Sequence, residues 1–130
     1  MARNTRTFTD LDAAFTRNPR TRDVASKSDE AAIRNSLRNL IHTRNYERPF
    51  QPDLGCQLHS LMFETLTPIV TTIAERTIIT VINKYEPRVE LLEVQVSPNQ
   101  DENALEIEII FKIRNTEEPL RFNTTFTRVR

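Results

Sequence analysis

Glycine is almost absent from this sequence, and the shortage limits what the chain can bind. Gly55 is the only glycine in 130 residues, so there is no glycine-rich phosphate loop, no dinucleotide-binding fingerprint and no Asn-Gly hairpin turn. The single cysteine, Cys56, cannot form a disulfide within the chain. No apolar stretch is long enough to predict a transmembrane span or a signal peptide. We therefore expect synthesis in a reducing cytosol and no membrane partner.

The composition is typical of a single globular domain. Charged residues make up 28% of the chain and apolar residues 38%. A chain of this length buries about two-thirds of its unfolded surface around one core. The net charge of zero hides an asymmetry, because residues 1–48 carry ten basic and six acidic side chains, whereas residues 49–130 carry eight and twelve.

The basic N-terminal part raises nucleic-acid binding as one interpretation. It offers only Phe8, Phe15 and Tyr46 as side chains on which bases could stack, and it contains no recognised binding motif. A solvated face, or a face complementary to an acidic protein neighbour, fits this pattern better. We predict no nucleic-acid partner.

Residues with catalytic or metal-binding chemistry are few and scattered. His42 and His59 are seventeen positions apart with no histidine or cysteine at ligand spacing, so we predict no metal site. Cys56 lies in no nucleophile signature and is predicted to be a small buried side chain. A glycosidase needs two carboxyl groups about 5–9 Å apart, and the candidates are Asp53, Glu64, Glu75 and Glu86. The sequence does not indicate that any two converge, and we predict no enzyme activity and no cofactor.

One stretch in the middle of the chain predicts a long helix. Thr67 can cap it with its hydroxyl, and Pro68 fits the first helical position, where no N–H has to be donated. Pro87 should end the helix at Tyr85 or the next residue. The β-branched run 77–82 would also suit a buried strand, but its continuity with the preceding turns favours helix. The predicted core stripe is Val70, Ile73, Ala74, Thr77, Ile78, Val81, Ile82 and Tyr85.

Three strands are predicted after this helix. The segment Val89 to Val96 has high β propensity, but its apolar side changes phase between Leu91 and Leu92, which predicts a bulge or a strand buried on both faces. Residues 105–113 alternate apolar with mostly charged side chains, and residues 120–129 form the last strand. The strands should follow one another as an antiparallel meander.

An arm and further helices are predicted in the N-terminal part of the chain, before the sheet. The segment Phe8 to Pro19 fits either an extended arm or one helical turn. Ser28 is predicted to cap a helix that ends at about His42, with a buried stripe of Ile33, Leu37, Leu40 and Ile41. Residues 48–52 are too rich in proline for helix, and we expect Phe50 to turn inward.

A shorter second helix is predicted over residues 53–64, which makes three helices before the sheet. The expected fold class is therefore α+β, with three N-terminal helices packed on a C-terminal antiparallel three-stranded meander sheet. We expect one domain over the whole chain. Within it, residues 1–27 form an extended N-terminal arm, residues 28–86 the helical part and residues 87–130 the sheet.

Four segments of the sequence carry a family resemblance. They are FTDLDAAF at residues 8–15, AIRNSLRNLIHTR at residues 32–44, ERPFQPDLG at residues 47–55 and YEPRVEL at residues 85–91. In this order and spacing the chain resembles the small baseplate wedge proteins of contractile-tailed phages, T-even-like phages among them. That family includes the baseplate component of type VI secretion systems. The family commonly has glycine where Arg22 stands and near Tyr46, so the resemblance does not predict those two turns.

The resemblance implies a structural, non-enzymatic subunit of the inner baseplate, placed beside the tail tube, from which sheath polymerisation begins. The implied partners are other baseplate wedge proteins with their helical core bundle and the tail sheath subunit, with tail tube or hub proteins as further candidates. The implied location is the baseplate of the virion, after synthesis in the host cytoplasm. Some family members carry the label lysozyme-like, which makes murein hydrolysis the alternative function.

The resemblance further implies that Glu86, Pro87 and Arg88 dock on the helical bundle of neighbouring wedge proteins. The residues support this, because Pro87 fixes the corner and would present two charged side chains with little ordering cost. The planar fork of Arg88 suits carboxylates or helix C-terminal carbonyls. The alternative is that both charges close the turn or pair inside the fold.

The last strand is the second predicted docking site. The final strand of a meander has an open outer edge unless something covers it, and from Leu120 onward this strand has neither proline nor lysine to defend that edge. We predict that it accepts a strand of the sheath subunit and templates the first sheath ring. The candidate contacts are Leu120, Phe122, Thr124, Thr125, Phe126 and Thr127. The alternative is an edge covered by the arm at residues 8–15.

Overall fold

The computed structural model describes residues 9–11, 15–17, 19–20, 22–23, 26–28, 30–114 and 116–128. By its internal contacts the chain divides into two compact units, Met1–Ser36 and Leu37–Arg130. None of the helices in the described ranges combines the length and the apolar composition needed to cross a bilayer.

The first unit contains a small two-stranded sheet. Strand β1 (Thr9–Leu11) pairs antiparallel with strand β2 (Ser26–Ser28). Of the two conformations that the sequence left open for the arm, the part at β1 is extended, while residues 8 and 12–14 lie outside the described ranges. Ser28 is the last residue of β2 and helix α1 begins at Glu30, so Ser28 is not next to the helix as a cap would be.

Helix α1 (Glu30–His42) runs from the first unit into the second. An ion pair at 2.6 Å joins Arg34 to Glu30 one turn earlier, where the acidic residue also complements the helix dipole. The predicted apolar stripe is confirmed, because Ile33, Leu37, Leu40 and Ile41 are all buried.

The predicted second helix is much shorter than expected. Helix α2 covers only Leu58–Leu61, because the residues before it are held in a turn. Gly55 adopts a φ of +128° and packs so closely on the end of α1 that an added Cβ would lie 2.6 Å from the carbonyl oxygen of Thr43. The Cys56 N–H donates to the same carbonyl at 2.9 Å. The single glycine is therefore required where it stands.

The backbone at Arg22, Tyr46 and Phe50 bears on three expectations about turns. Phe50 is 96% exposed, so the prediction that it turns inward is wrong. Arg22 and Tyr46 have φ values of +59° and +66°, and both turns thus keep the left-handed backbone that favours glycine although neither residue is one. Tyr46 is itself 78% exposed.

Helix α3 (Pro68–Tyr85) begins and ends where the two prolines predict. Thr67 occupies the cap position, but its hydroxyl makes no capping hydrogen bond. The prediction that this hydroxyl caps the helix is therefore wrong. The buried residues of α3 recur at every fourth position and are Val70, Ala74, Ile78 and Ile82. Ile73 is 43% exposed, so the core stripe is narrower than predicted.

The C-terminal sheet is antiparallel with the order β3-β4-β5, formed by Val89–Asn99, Ala104–Ile113 and Pro119–Thr127. The pairing of β3 with β4 shifts between Leu91 and Glu93, which confirms the predicted bulge and leaves Leu92 47% exposed. The buried face of β4 and β5 is formed by Leu105, Ile107, Ile109, Phe111, Ile113, Phe122 and Phe126. Helices in the N-terminal half followed by this sheet confirm the α+β class.

Replacing Gly55 with alanine is expected to lower the free energy of unfolding by about 2–3 kcal/mol, because the new Cβ meets the backbone of Thr43 and Arg44 just after α1 and the positive φ is strained for alanine. Urea denaturation measures this change. Gln57→Ala at an exposed position two residues later is the matched control. A Gly55→Ala protein as stable as this control would contradict the account of the turn.

Candidate docking surfaces

The turn from α3 to β3, Glu86–Pro87–Arg88, is called the corner below. The Glu86 N–H donates to the carbonyl of Ile82 at 2.9 Å and closes the helix, and the Val89 N–H donates to the Glu86 carbonyl at 3.3 Å and closes the turn. Pro87 cannot donate a hydrogen bond and lies exposed between them. The corner is therefore fixed by backbone bonds on both sides of the proline.

The two charged side chains of the corner bind each other. The Arg88 Nε donates to Glu86 Oε1 at 2.6 Å and its Nη2 donates to Oε2 at 2.9 Å, in bidentate geometry. Glu86 is 3% exposed and is the one charged residue that is buried in the described ranges, whereas the side chain of Arg88 is 24% exposed. The expectation that both charges are presented outward is wrong for Glu86, and the predicted alternative of internal pairing describes the geometry.

The six candidate residues of the last strand all lie on β5, at the opposite edge of the sheet from β3. Phe122 and Phe126 are 2% exposed and belong to the core. Leu120 and Thr124 share their face and are half-buried, while Thr125 and Thr127 point to the other face and are exposed. The structure therefore brings these residues together along one strand and keeps them apart from the corner.

The hydrogen-bond pattern determines which backbone groups of β5 face outward. The Arg128 N–H donates to the Asn103 carbonyl at 3.2 Å, which marks this as a hydrogen-bonded pair of the β4–β5 ladder. Because such pairs alternate in antiparallel sheets, the even residues of β5 bond to β4. The outward N–H groups are those of Arg121, Asn123, Thr125 and Thr127. Among the described residues, no backbone acceptor outside the sheet takes any of these four hydrogens.

The other edge of the sheet is closed by three features. The carboxylate of Glu75 on α3 accepts the outward Val96 N–H at 3.1 Å. Two residues later, Pro98 occupies the next outward position and has no N–H to offer. The bulge at Leu92 interrupts the edge further up. Among the described residues the two edges therefore differ, since β3 is protected along its length whereas β5 has a proline only at its first residue, Pro119.

The predicted alternative, in which the N-terminal arm covers the β5 edge, stays an alternative, because the arm belongs to the first unit of the chain and the sheet to the second. Thr9–Leu11 pairs with Ser26–Ser28 in its own sheet. The three-stranded sheet contains only β3, β4 and β5 in the described part of the chain. The rest of the arm, Phe8 and residues 12–14, lies outside the described ranges.

Two histidine rings pack around the last core aromatic of β5. The His42 ring is stacked on Phe126 with centroids 5.1 Å apart, and the His59 ring meets it edge-on at 4.6 Å. The His42 Nε2 is 3.2 Å from the hydroxyl oxygen of Thr124. Burial, followed by the charges of Arg38 and His59, lowers the pKa of His42. The described residues contain no cluster of three or more histidine, cysteine, aspartate or glutamate side chains that could hold a metal ion. Both histidine rings pack on Phe126.

Groups with catalytic potential are used for structure. Burial raises the pKa of the Cys56 thiol to about 11, so it stays protonated and unreactive. Glu75 is hydrogen-bonded to the edge of β3 and Glu86 is paired with Arg88. The sequence reasoning missed the role of Glu75, because a half-buried glutamate on a helix gives no signal that its carboxylate meets a strand 21 residues later.

The sequence matches a known family model over most of its length. Residues 27–118 match the family described as baseplate wedge protein gp25. Over 92 residues the chain is 39% identical to baseplate wedge protein gp25 of Enterobacteria phage T4, a match that covers 71% of this chain and 70% of the phage protein.

Solved structures show the same fold. A putative tail lysozyme from Geobacter sulfurreducens is 30% identical, with a TM-score of 0.73 over 80% of this chain and 95% of that one. A chain of the baseplate complex from the type VI secretion system is 13% identical, with a TM-score of 0.67 over 77% of this chain and 93% of that one. A chain of the anti-feeding prophage baseplate is 20% identical, with a TM-score of 0.65 over 95% of this chain and 87% of that one.

Proposed function

The chain belongs to the family of baseplate wedge protein gp25, and from this premise we propose that it is a structural subunit of the inner baseplate wedge of a contractile phage tail. In this role it docks to neighbouring wedge proteins and initiates sheath polymerisation around the tail tube. Its place is the tail baseplate of the virion, after synthesis in the host cytoplasm. The tail tube and hub proteins are further candidate neighbours.

The observation that carries the sheath-initiating role is the difference between the two edges of the sheet. An added strand cannot bond along β3, because the outward N–H of Val96 already donates to Glu75 and Pro98 has no N–H to donate. On β5 it meets four outward N–H groups with carbonyls between them. Main-chain hydrogen bonds supply affinity in such β-augmentation, and alternate side chains supply the register. The sheath subunit therefore adds an extended segment at β5 alone.

Proline at Thr125 and Thr127 tests this role. Both N–H groups point outward, so the double substitution removes donors for the added strand and leaves the bonds between β4 and β5 intact. We expect baseplates of normal composition that carry naked or short-sheathed tubes. Electron microscopy of assembled tails measures the sheathed length of each tube.

The control for the proline variant is Thr125→Ala with Thr127→Ala, which shortens the same side chains and keeps both N–H groups. It should give full-length sheath. Tubes with full-length sheath on baseplates that contain both prolines would contradict the template role.

The corner supports a second contact, with the helical bundle of the neighbouring wedge proteins. Pro87 is exposed at its tip, and the pairing of Arg88 with Glu86 holds both side chains in one arrangement, so little ordering is needed on binding. The outer face of α3 that leads to it carries exposed Ile69, Ile73 and Ile79. Exposed apolar side chains on a helix suit packing against another helix.

Arg88→Lys tests the corner contact. Lysine keeps the charge but cannot make the bidentate bond that fixes the corner, so wedge complexes should bind the variant at least about tenfold more weakly. Pull-down or calorimetric titration with the neighbouring wedge proteins measures the affinity. Gly55→Ala serves as a control that destabilises the fold elsewhere. Wild-type affinity for Arg88→Lys, or an equal loss with Gly55→Ala, would contradict docking at the corner.

Murein hydrolysis is the alternative function, suggested by the name of the Geobacter sulfurreducens relative. The carboxylates do not favour it, since Glu75 and Glu86 are engaged in structural hydrogen bonds and Glu64 is exposed. A glycosidase acid instead needs a protected carboxyl with a raised pKa opposite a second carboxylate. The chain is therefore proposed to be non-enzymatic.

Incubation of the purified protein with peptidoglycan should release no reducing ends above the buffer blank, because Glu75 and Glu86 are held in structural hydrogen bonds and Glu64 is exposed. A commercial lysozyme is the positive control for the assay. Release of reducing ends that disappears in Glu64→Ala, with the circular dichroism spectrum unchanged, would overturn the non-enzymatic proposal.

A further inference from the structure

Three arginine side chains lie near β5. The guanidinium carbon of Arg38 on α1 is 6.0 Å from the centre of the Phe122 ring. Arg38 borders a surface depression that spans all three strands and is lined by residues 123–125 of β5 and by Glu106 and Glu108 of β4. Further along, Arg44 and Arg128 border a small cleft with Phe126 and Thr127. An added strand at β5 would therefore pass near three arginine side chains.

These three arginines have no carboxylate within ion-pair distance among the described residues. The guanidinium of Arg38 rests on Phe122, and that of Arg128 lies 5.4 Å from the centre of the Phe63 ring. Such contacts hold the planar forks in place without using their hydrogen-bonding capacity. All three residues are exposed.

Acidic groups also lie near these arginines, since Glu106 and Glu108 line the same depression as Arg38. Glu108 on β4 is 3.6 Å from Arg121, and Glu106 on β4 accepts a hydrogen bond from Asn99 at 3.0 Å. Glu47 accepts the backbone N–H of Arg44 at 2.9 Å. Glu64 is an exposed residue that borders the same groove as Arg128. Among the described residues, Arg38, Arg44 and Arg128 thus lie near β5 without an ion pair to any of these carboxylates.

We propose that the segment added at β5 is an acidic one, with two carboxylates about four residues apart that bind Arg38 and Arg128. The positions follow from the strand, because Arg38 lies beside Asn123 and Thr124 whereas Arg128 borders Thr127, a separation of about four residues or 13 Å. Side chains four residues apart point to the same face of a strand. This inference rests on the proposed addition of a sheath strand at β5, and it specifies the chemistry of that strand.

Charge reversal at both positions tests the proposal. Arg38→Glu with Arg128→Glu should leave baseplate composition unchanged and reduce the fraction of sheathed tubes at least about tenfold, because like charges then face each other across the new pairing. Arg38→Lys with Arg128→Lys keeps the charge and should retain most of the sheathed tubes. Arg48→Glu, at an exposed position in the loop after α1, is the matched control and should behave as the wild type.

A milder pair, Arg38→Gln with Arg128→Gln, replaces the reversal variant if circular dichroism shows that the glutamates disturb the fold. It should lower the sheathed fraction in the same direction. Fully sheathed tubes with these variants overturn the acidic-segment proposal. If the double proline variant at Thr125 and Thr127 abolishes the sheath in the same experiment, strand addition stands and only its chemistry is refuted. Full sheath with the arginine variants and with the double proline variant refutes both the acidic segment and strand addition at β5.

Discussion

The hydrogen bonds at the corner determine how the rest of the second unit is arranged. Pro87 ends α3, and the bidentate pair of Glu86 and Arg88 fixes the angle at which the chain enters β3. Helix α3 consequently runs alongside β3, and Glu75 comes within hydrogen-bond distance of the Val96 N–H. The closed edge of the sheet is thus a consequence of the turn that precedes it.

The protection of the β3 edge matters because it leaves the sheet with one open edge, at β5. A three-stranded sheet with two bare edges would pair with itself or with unrelated strands, which is the usual hazard of such sheets. In this chain a helix carboxylate, a proline and a bulge protect β3, so β5 is the edge to which we assign the proposed strand addition. The aromatic and histidine packing beneath β5, at Phe126, His42 and His59, holds the accepting strand flat on the core.

The sequence predicted those features that depend on local backbone chemistry. Both ends of α3 follow from proline, and the bulge in β3 follows from the shift in phase at Leu91 and Leu92. Contacts between distant segments were not predictable in this way. The turn at Gly55 shortens α2 because the backbone packs on Thr43, twelve residues earlier, and the burial of Glu86 depends on its bond to Arg88. The open edge was predicted from composition alone, but the identity of its outward N–H groups required the register of β5.

Amide hydrogen exchange along β5, in the isolated protein and in sheathed baseplates, tests most directly whether this edge receives the sheath. In the isolated protein, the amides of Asn123 and Thr125 should exchange rapidly while those of Phe122 and Thr124 are protected, because only the latter bond to β4. Addition of the first sheath ring should protect Asn123 and Thr125 as well. Equal exchange of these two amides with and without sheath, or protection already present in the isolated protein, would contradict the account.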